Sequence, residues 1–353
     1  MKVFVTGGCG FLGSNICEFY AKRGNTVIAF DNLTKYELNR TGYNVEKARQ
    51  HTVDFLKSLG VQIVEGDVKR FQDDLLEWED CDYFIHTAAQ PSMTISIESP
   101  WLDSETNIMG ALNMLELARK HDKPLALCST IHVYGNQSNR YLIEQSSRFY
   151  GHTTMETYPT MQGTLTPLHV SKRCAELYAQ SYIDLYGLRV ATFRLTGMYG
   201  ERQFGAEDHG WVANFAIKIL TGKPITIYGT EKQVRDILYA KDAVNAFDCF
   251  YRHQKAGIYN IGGGMERAIS LIECIRLIED ITGKKAQIEM KPARQGDLWY
   301  FVCDITKAGR ELGWQPKVSN LKGLTRLVKW IRENAGIFEG LKEQVPAWHG
   351  MDD

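Results

Sequence analysis

The stretch Thr6-Gly7-Gly8-Cys9-Gly10-Phe11-Leu12-Gly13 sets glycines at positions 7, 10 and 13, between an apolar run and a helical pattern. Without side chains in the way, backbone N–H groups and a helix N-terminus can meet a pyrophosphate at such a turn. Asp31 follows the next apolar run, Thr26-Val27-Ile28-Ala29-Phe30. It lies about 20 residues beyond the glycines, where a carboxylate accepts from a ribose 2′-hydroxyl. A carboxylate there also repels a 2′-phosphate. The chemistry predicted for this end of the chain is therefore binding of NAD in preference to NADP.

The elements that must carry these residues alternate. Val3-Phe4-Val5 reads as a strand and Ser14 to Tyr20 as a helix; Val61 to Val64, Tyr83 to His86 and Leu125 to Cys128 read as further strands. Residues 102 to 120 have apolar positions mostly at helical spacing and are predicted as one helix. Short β runs separated by helices predict an α/β fold, a Rossmann-type doubly wound parallel sheet with ligands at the carboxyl ends of its strands. Thr6, Asp31, Asp67, His86 to Gln90 and Ser129-Thr130 all fall at those ends. Residues 33 to 60 are polar and predicted to hold an extra helix ending near Leu59-Gly60, and residues 135 to 166 read as a long loop over the site. A helix is expected from Pro167 to Tyr186 and a strand from Arg189 to Arg194. The predicted division is a nucleotide-binding domain over 1–195 and a smaller, mixed α/β, mainly substrate-binding domain over 196–353, partly discontinuous, with segments that can return to the first.

Bulk properties narrow the classes. A chain of 353 residues suffices for one large or two modest domains. With 41 basic and 42 acidic side chains it lacks the basic excess of a nucleic-acid binder. Its apolar runs are too short to span a bilayer, and neither a signal peptide nor a membrane anchor is expected. The eight cysteines form no C-x-x-C pair, so no metal site and no disulfide framework is predicted, and a cytoplasmic enzyme fits best.

Thr6 to Gly13, Asp31-Asn32-Leu33, Gly66-Asp67-Val68, His86 to Gln90, Ser129-Thr130 with Val133-Tyr134-Gly135, Ser171-Lys172 and Arg235-Asp236 together resemble the extended short-chain dehydrogenase/reductases of the nucleotide-sugar epimerase and dehydratase group. Within that group Gln90 to Thr94, Met198-Tyr199-Gly200, Arg202-Gln203-Phe204, Gly210-Trp211-Val212 and Lys232 to Asp236 resemble the CDP-tyvelose (CDP-paratose) 2-epimerases most. The resemblance implies tightly held NAD, contacted by Gly7, Gly10, Phe11, Leu12, Gly13, Asp31, Asn32, Asp67, Val68, Ala88 and Lys172. It implies a nucleotide-diphosphate sugar as substrate, a hexose carbon (C2 favoured) oxidised transiently, and hydride returned to the other face. Thr130 matches the group's hydroxyl that holds the reacting oxygen. It also implies a homodimer paired through the helices near 102–120 and 167–186.

Here the chain departs from its relatives. The group's base is a tyrosine four residues before the lysine, a spacing that stacks both side chains on one helix face. Lys172 is present, but position 168 is leucine. His132, where related dehydratases carry a glutamate, and His169, one residue after Leu168, each offer an imidazole able to accept a proton near pH 7. The expectation is that His132 is the principal acid/base, with His169 as the second candidate. Arg235 and Arg294 offer planar forks to a diphosphate, Asp297 an acceptor for a ribose hydroxyl, and Trp211 and Phe204 faces for a base or sugar. Gln90, Ser92, Thr196 and Arg202 complete the predicted substrate contacts. Two further readings stand beside epimerisation: a dehydratase using His132, and a nucleotide-sugar or NAD(H)-binding protein without turnover.

Overall fold

The computed structural model describes residues 1–34, 44–70, 78, 80–207 and 209–338. Seven short runs form one sheet: β1 (Lys2–Thr6), β2 (Thr26–Asp31), β3 (Gln62–Glu65), β4 (Tyr83–His86), β5 (Leu125–Thr130), β6 (Val190–Leu195) and β7 (Gly257–Ile261). Their order is β7-β6-β5-β4-β1-β2-β3, and every neighbouring pair is parallel. Val3, Phe4 and Val5 of β1 and Phe84 and Ile85 of β4 are wholly buried, because helices cover both faces of a parallel sheet and leave no polar side. The strand order reverses between β1 and β4, and this opens a crevice at their carboxyl ends. Thr6 Oγ1 and His86 Nδ1 meet there at 2.7 Å.

The helices are α1 (Phe11–Ala21), α2 (Val45–Ser58), α3 (Met93–Glu98), α4 (Pro100–Ser104), α5 (Gly110–His121), α6 (Pro167–Tyr186), α7 (Trp211–Thr221), α8 (Ala240–His253), α9 (Leu271–Thr282), α10 (Thr306–Leu312) and α11 (Asn320–Glu333). Ile16 and Tyr20 of α1 pack with Phe247 and Phe250 of α8 on one face of the sheet. Met114 and Leu117 of α5 pack with Ala175 and Ala179 of α6 on the other. A separate core joins α7, α9 and α11 through Ile219, Ile275, Leu327 and Trp330. This smaller layer carries the parallel pair Ile225–Tyr228 and Ile288–Lys291, and the strand Val234–Asp236 between Ala268–Ser270 and Tyr300–Phe301. Among the described residues no helix is long and apolar enough to cross a membrane.

The chain does not stay in the smaller layer once it has entered it. β7 returns to the large sheet and pairs with β6 from Gly257↔Ala191 to Ile261↔Leu195. α8 and α10 return with it, contributing Phe247, Ala308 and Leu312 to the large core. Residues 339–353, the end of the expected second domain, lie outside the described residues.

Two local expectations are corrected. Residues 102 to 120 are not one α-helix: α4 ends at Ser104, Glu105–Met109 form a π turn, and α5 starts at Gly110. The wider turn lets Asn107 point inward, where it bonds the backbone N–H and carbonyl of Gln90, Asp103 and the Ser171 hydroxyl. Residues 135 to 166 do not cover the central cavity. They contain a short hairpin, Ile143–Glu144 with Phe149–Tyr150, and pack on the smaller layer, Phe149 stacked on Trp299 and Thr154 bridged to Cys303.

Candidate active site

One cavity of about 860 Å³ runs from the glycine turn to the smaller layer. Its first end is built by backbone. Gly7 has φ +65°, and a Cβ there would stand 2.7 Å from the backbone N of Ala88, so β1 and β4 can close on each other only at a glycine. A Cβ on Gly13 would overlap the carbonyl oxygen of Gly7, which is how α1 comes to pack against its own entry turn. Gly7, Gly10, Phe11 and Leu12 line the cavity, with the α1 N-terminus facing into it. Gly13 is buried behind them.

Asp31 lines the same end, its carboxylate accepting from the N–H of Cys9 at 2.9 Å and of Leu33 at 2.8 Å. Asn32, Val68 and Ala88 complete the wall. Asp67 stands behind it, accepting from Asn32 and from the N–H of Lys69. A cradle that admits no Cβ, an open helix N-terminus and a fixed carboxylate fit the pyrophosphate and adenosine ribose of NAD.

The middle of the cavity holds Thr130, His132, Leu168 and Lys172. β5 ends at Thr130, and its position is locked from below: Ser129 donates to Glu176 at 2.6 Å, and Arg194 of β6 grips the same carboxylate with two bonds of 2.9 and 2.8 Å. Glu176 follows Lys172 by one helical turn on α6, so strand end and helix are tied together. Lys172 donates to the carbonyl of Cys128 at 3.2 Å. Burial lowers its pKa, against the pull of Cys128, Asp103 and Glu176. Thr130 Oγ1 accepts from the N–H of His132 at 3.2 Å, which leaves it a proton and a lone pair.

The structure places the two histidines differently. Burial pushes the His132 imidazole down to about 3, with His169 and Arg235 adding to the effect. Burial thus favours the neutral ring at His132 and makes it a weaker proton acceptor than the free imidazole on which its expected role as principal acid/base rested. His169 does not line the cavity. It is wholly buried as the third residue of α6, and its Nδ1 accepts from the N–H of the N-cap Thr166 at 2.9 Å, closing a capping box.

The far end is lined by Thr196, Arg202, Phe204, Trp211, Arg235, Arg294 and Asp297. Trp211 opens α7, whose N-terminal residues Gly210, Trp211 and Asn214 face the cavity. Arg235 is held by the carbonyls of Val234 and Leu298. Burial pulls its pKa to about 10, with Asp297 and Asp236 opposing. The Asp297 carboxyl is raised by burial and lowered in turn by Arg235 and Arg294. The Arg294 guanidinium lies 3.6 Å from the Tyr228 ring centroid and donates to the Glu207 carbonyl at 3.2 Å.

Several predicted sugar ligands are already committed inside the protein. Ser92 is fully buried and caps α3, accepting from the N–H of Ile95, so it does not line the cavity. Gln90 reaches the cavity, but its amide bonds Ser92 and Asp103. The Thr196 hydroxyl donates to Asp236. Arg202 pairs with Glu18 at 2.6 Å and Ser14 at 3.0 Å, and so braces the substrate side against α1 rather than offering a free fork. Phe204 spends its ring on Trp330 and Phe338.

A cluster that sequence reasoning passed over lies beside Arg294. Glu207 accepts from Thr226 at 2.9 Å, Tyr228 at 3.2 Å and Lys218 at 2.6 Å. The signal was the alternation of Ile225-Thr226-Ile227-Tyr228, which turns both hydroxyls to one side. Among the described residues no group of three His, Cys, Asp or Glu side chains is placed to hold a metal ion.

This arrangement has counterparts. Residues 3–262 match the model of the NAD dependent epimerase/dehydratase family. The chain is 34% identical over 345 residues to CDP-paratose 2-epimerase of Salmonella typhi, covering 94% of this chain and 99% of that one. It superposes on the NAD complex of Thermus thermophilus UDP-glucose 4-epimerase with a TM-score of 0.77 at 31% identity, over 94% of this chain and 99% of that one. On the Bacillus cereus UDP-glucuronic acid 4-epimerase in complex with UDP-glucuronic acid and NAD, the TM-score is 0.80 at 26% identity, over 95% and 100% of the two chains.

Proposed function

The chain belongs to the NAD dependent epimerase/dehydratase family, and on that footing we propose that it is a nucleotide-sugar epimerase that inverts a hexose carbon, C2 favoured, by transient oxidation. The observation that carries this reading is the continuity of one cavity. It joins a pyrophosphate cradle at Gly7 to Leu12 to an arginine-bearing far end, with Thr130 and Lys172 between them. Two phosphorylated ligands can lie end to end in it.

Gly7, Gly10 and the α1 N-terminus hold the cofactor pyrophosphate, Asp31 and Asn32 its adenosine ribose, and Lys172 the nicotinamide ribose with the donors left free by Cys128. Bound NAD supplies a reversible hydride acceptor. Arg235 and Arg294 hold the sugar diphosphate, and Asp297 a ribose hydroxyl. Thr130 takes the hydrogen bond of the reacting hydroxyl and passes its proton to cavity water, since Leu168 cannot. The C2 preference is supported by the likeness to CDP-paratose 2-epimerase.

The test is incubation of the purified chain with NAD and a panel of CDP-, UDP-, dTDP- and GDP-hexoses. The expected product has unchanged mass and an inverted C2 by NMR. Loss of water would make the chain a dehydratase. Absence of product, of carbon-bound deuterium exchange and of cofactor reduction across the panel would make it a binding protein.

We also propose a homodimer. Val170, Leu177, Tyr178 and Leu185 are exposed on α6 and fall within about 100° of one another around the helix. Trp101, on the neighbouring α4, is exposed as well. All eight cysteines are free thiols, which suits the reducing cytoplasm.

A further inference from the structure

The capping box of α6 has a second face. His169 Nδ1 meets the Thr166 hydroxyl at 2.7 Å and the Thr166 N–H at 2.9 Å; the hydroxyl can give or take a proton but the N–H can only donate, so Nδ1 carries a lone pair. Burial disfavours the imidazolium, and the ring's one proton must then sit on Nε2. His169 Nε2 is buried and has no hydrogen-bond partner among the described residues. The ring beside it is His132, with centroids 5.4 Å apart and planes nearly perpendicular at 85°. His132 Nδ1 is likewise buried and without a partner among the described residues. His132 itself lines the cavity, which leaves its Nε2 edge as the one presented there.

Orphaned buried polar atoms are rare, and two on adjacent rings answer each other only in one arrangement. We propose that His169 sets the tautomer of His132: with a small rotation of the rings His169 Nε2–H donates directly to His132 Nδ1, so that His132 turns an Nε2–H donor into the cavity. The opposite tautomer would set an Nδ1–H against the His169 Nε2–H, donor against donor. His132 is then a neutral hydrogen-bond donor to the reacting oxygen of the sugar as it becomes a carbonyl, a role that a lone pair at Nε2 could not fill. His169 is a positioning residue that acts through His132. The carbonyl role rests on the epimerase reading; the tautomer does not.

The experiment therefore has two arms. In the first, two-bond 1H–15N correlation spectra of the 15N-histidine-labelled resting protein should show both His132 and His169 neutral, with the proton on Nε2. The resonances are assigned with H132Q and H169Q. An Nδ1–H tautomer or an imidazolium at His132 overturns the proposal without any substrate. The second arm uses two partial mimics. H169N keeps an acceptor where Nδ1 was and so keeps the cap, but has no donor toward His132; H169Q keeps both, because a glutamine at this third helical position closes a capping box through Oε1 and leaves its Nε2 as a donor toward His132. Expected results are a drop in kcat of about tenfold with KM little changed for H169N and near wild-type kcat for H169Q, each at near wild-type Tm. A kcat for H169N equal to that of the wild type and of H169Q would leave His169 as a cap alone and overturn the proposal. If the wild type turns over no sugar, the epimerase reading fails and the spectra still decide the tautomer.

Discussion

At the scale of single residues, Asp31 combines two functions. Its carboxylate accepts from Cys9 and Leu33 N–H groups, which fixes its direction, and the remaining lone pairs face the cavity. D31N keeps the shape but removes the negative charge and replaces one acceptor with a donor. The affinity for NAD should fall about tenfold, while the discrimination against NADP narrows by more than that, read by calorimetric titration of both cofactors. An unchanged NAD-to-NADP ratio would show that Asp31 does not choose between them. This residue was legible in the sequence because its meaning depends on a short spacing from the glycines. The same is true of Lys172 and the gap at Leu168. Ser92 and His169 were misread for the opposite reason: hydroxyl and imidazole side chains serve equally well as helix caps, and only neighbours three residues away say which role is filled. Arg202 was misread because its partner, Glu18, is remote in sequence.

At the scale of elements, the strand Val234–Asp236 connects catalysis to the fold. Asp236 is fully buried and accepts from Thr196, from the Gly264 N–H and from the Cys303 N–H, so one carboxylate ties three segments together. Burial raises it to about 6 from the ordinary 3.8, against those hydrogen bonds. The folded state thus holds a proton that the unfolded state releases between pH 4 and 6. The contribution of this group to stability is full below about pH 4 and is lost as pH rises through about 6, by roughly 3 kcal/mol. D236N removes the titration. The difference in unfolding free energy between wild type and D236N should shift toward the variant by about 2 kcal/mol between pH 4 and 6.5, measured by urea denaturation. A difference that does not vary with pH would mean that Asp236 is ionised throughout. The parallel strands were legible as elements from their apolar runs, whereas the π turn at Glu105–Met109 was not. A turn that adds one residue shifts the phase of the apolar pattern without interrupting it, and what it achieves, the inward reach of Asn107 to Ser171, is a tertiary contact.

At the scale of the whole molecule, the exposed stripe on α6 makes the state of assembly testable. Leu177→Glu combined with Leu185→Glu places two charges where a partner copy would have to be desolvated. Light scattering should give twice the 40.2 kDa chain mass for the wild type and the single mass for the double variant. A wild type of single mass would remove the dimer. The route of the chain has another consequence, for how the protein is made. β6 finds its second neighbour only in β7, and the α1 layer is completed only by α8 and α10. A ribosome that has released the first 195 residues has therefore produced a sheet whose β6 edge is bare and whose α1 face is only partly covered. It must keep the edge from other chains for the time needed to synthesise more than 60 further residues, and the face for longer, until α10 is made. At about 5–20 residues per second that is an interval of several seconds. Nascent chains stalled between β6 and β7 are thus the form of this protein most exposed to aggregation and in most need of a chaperone.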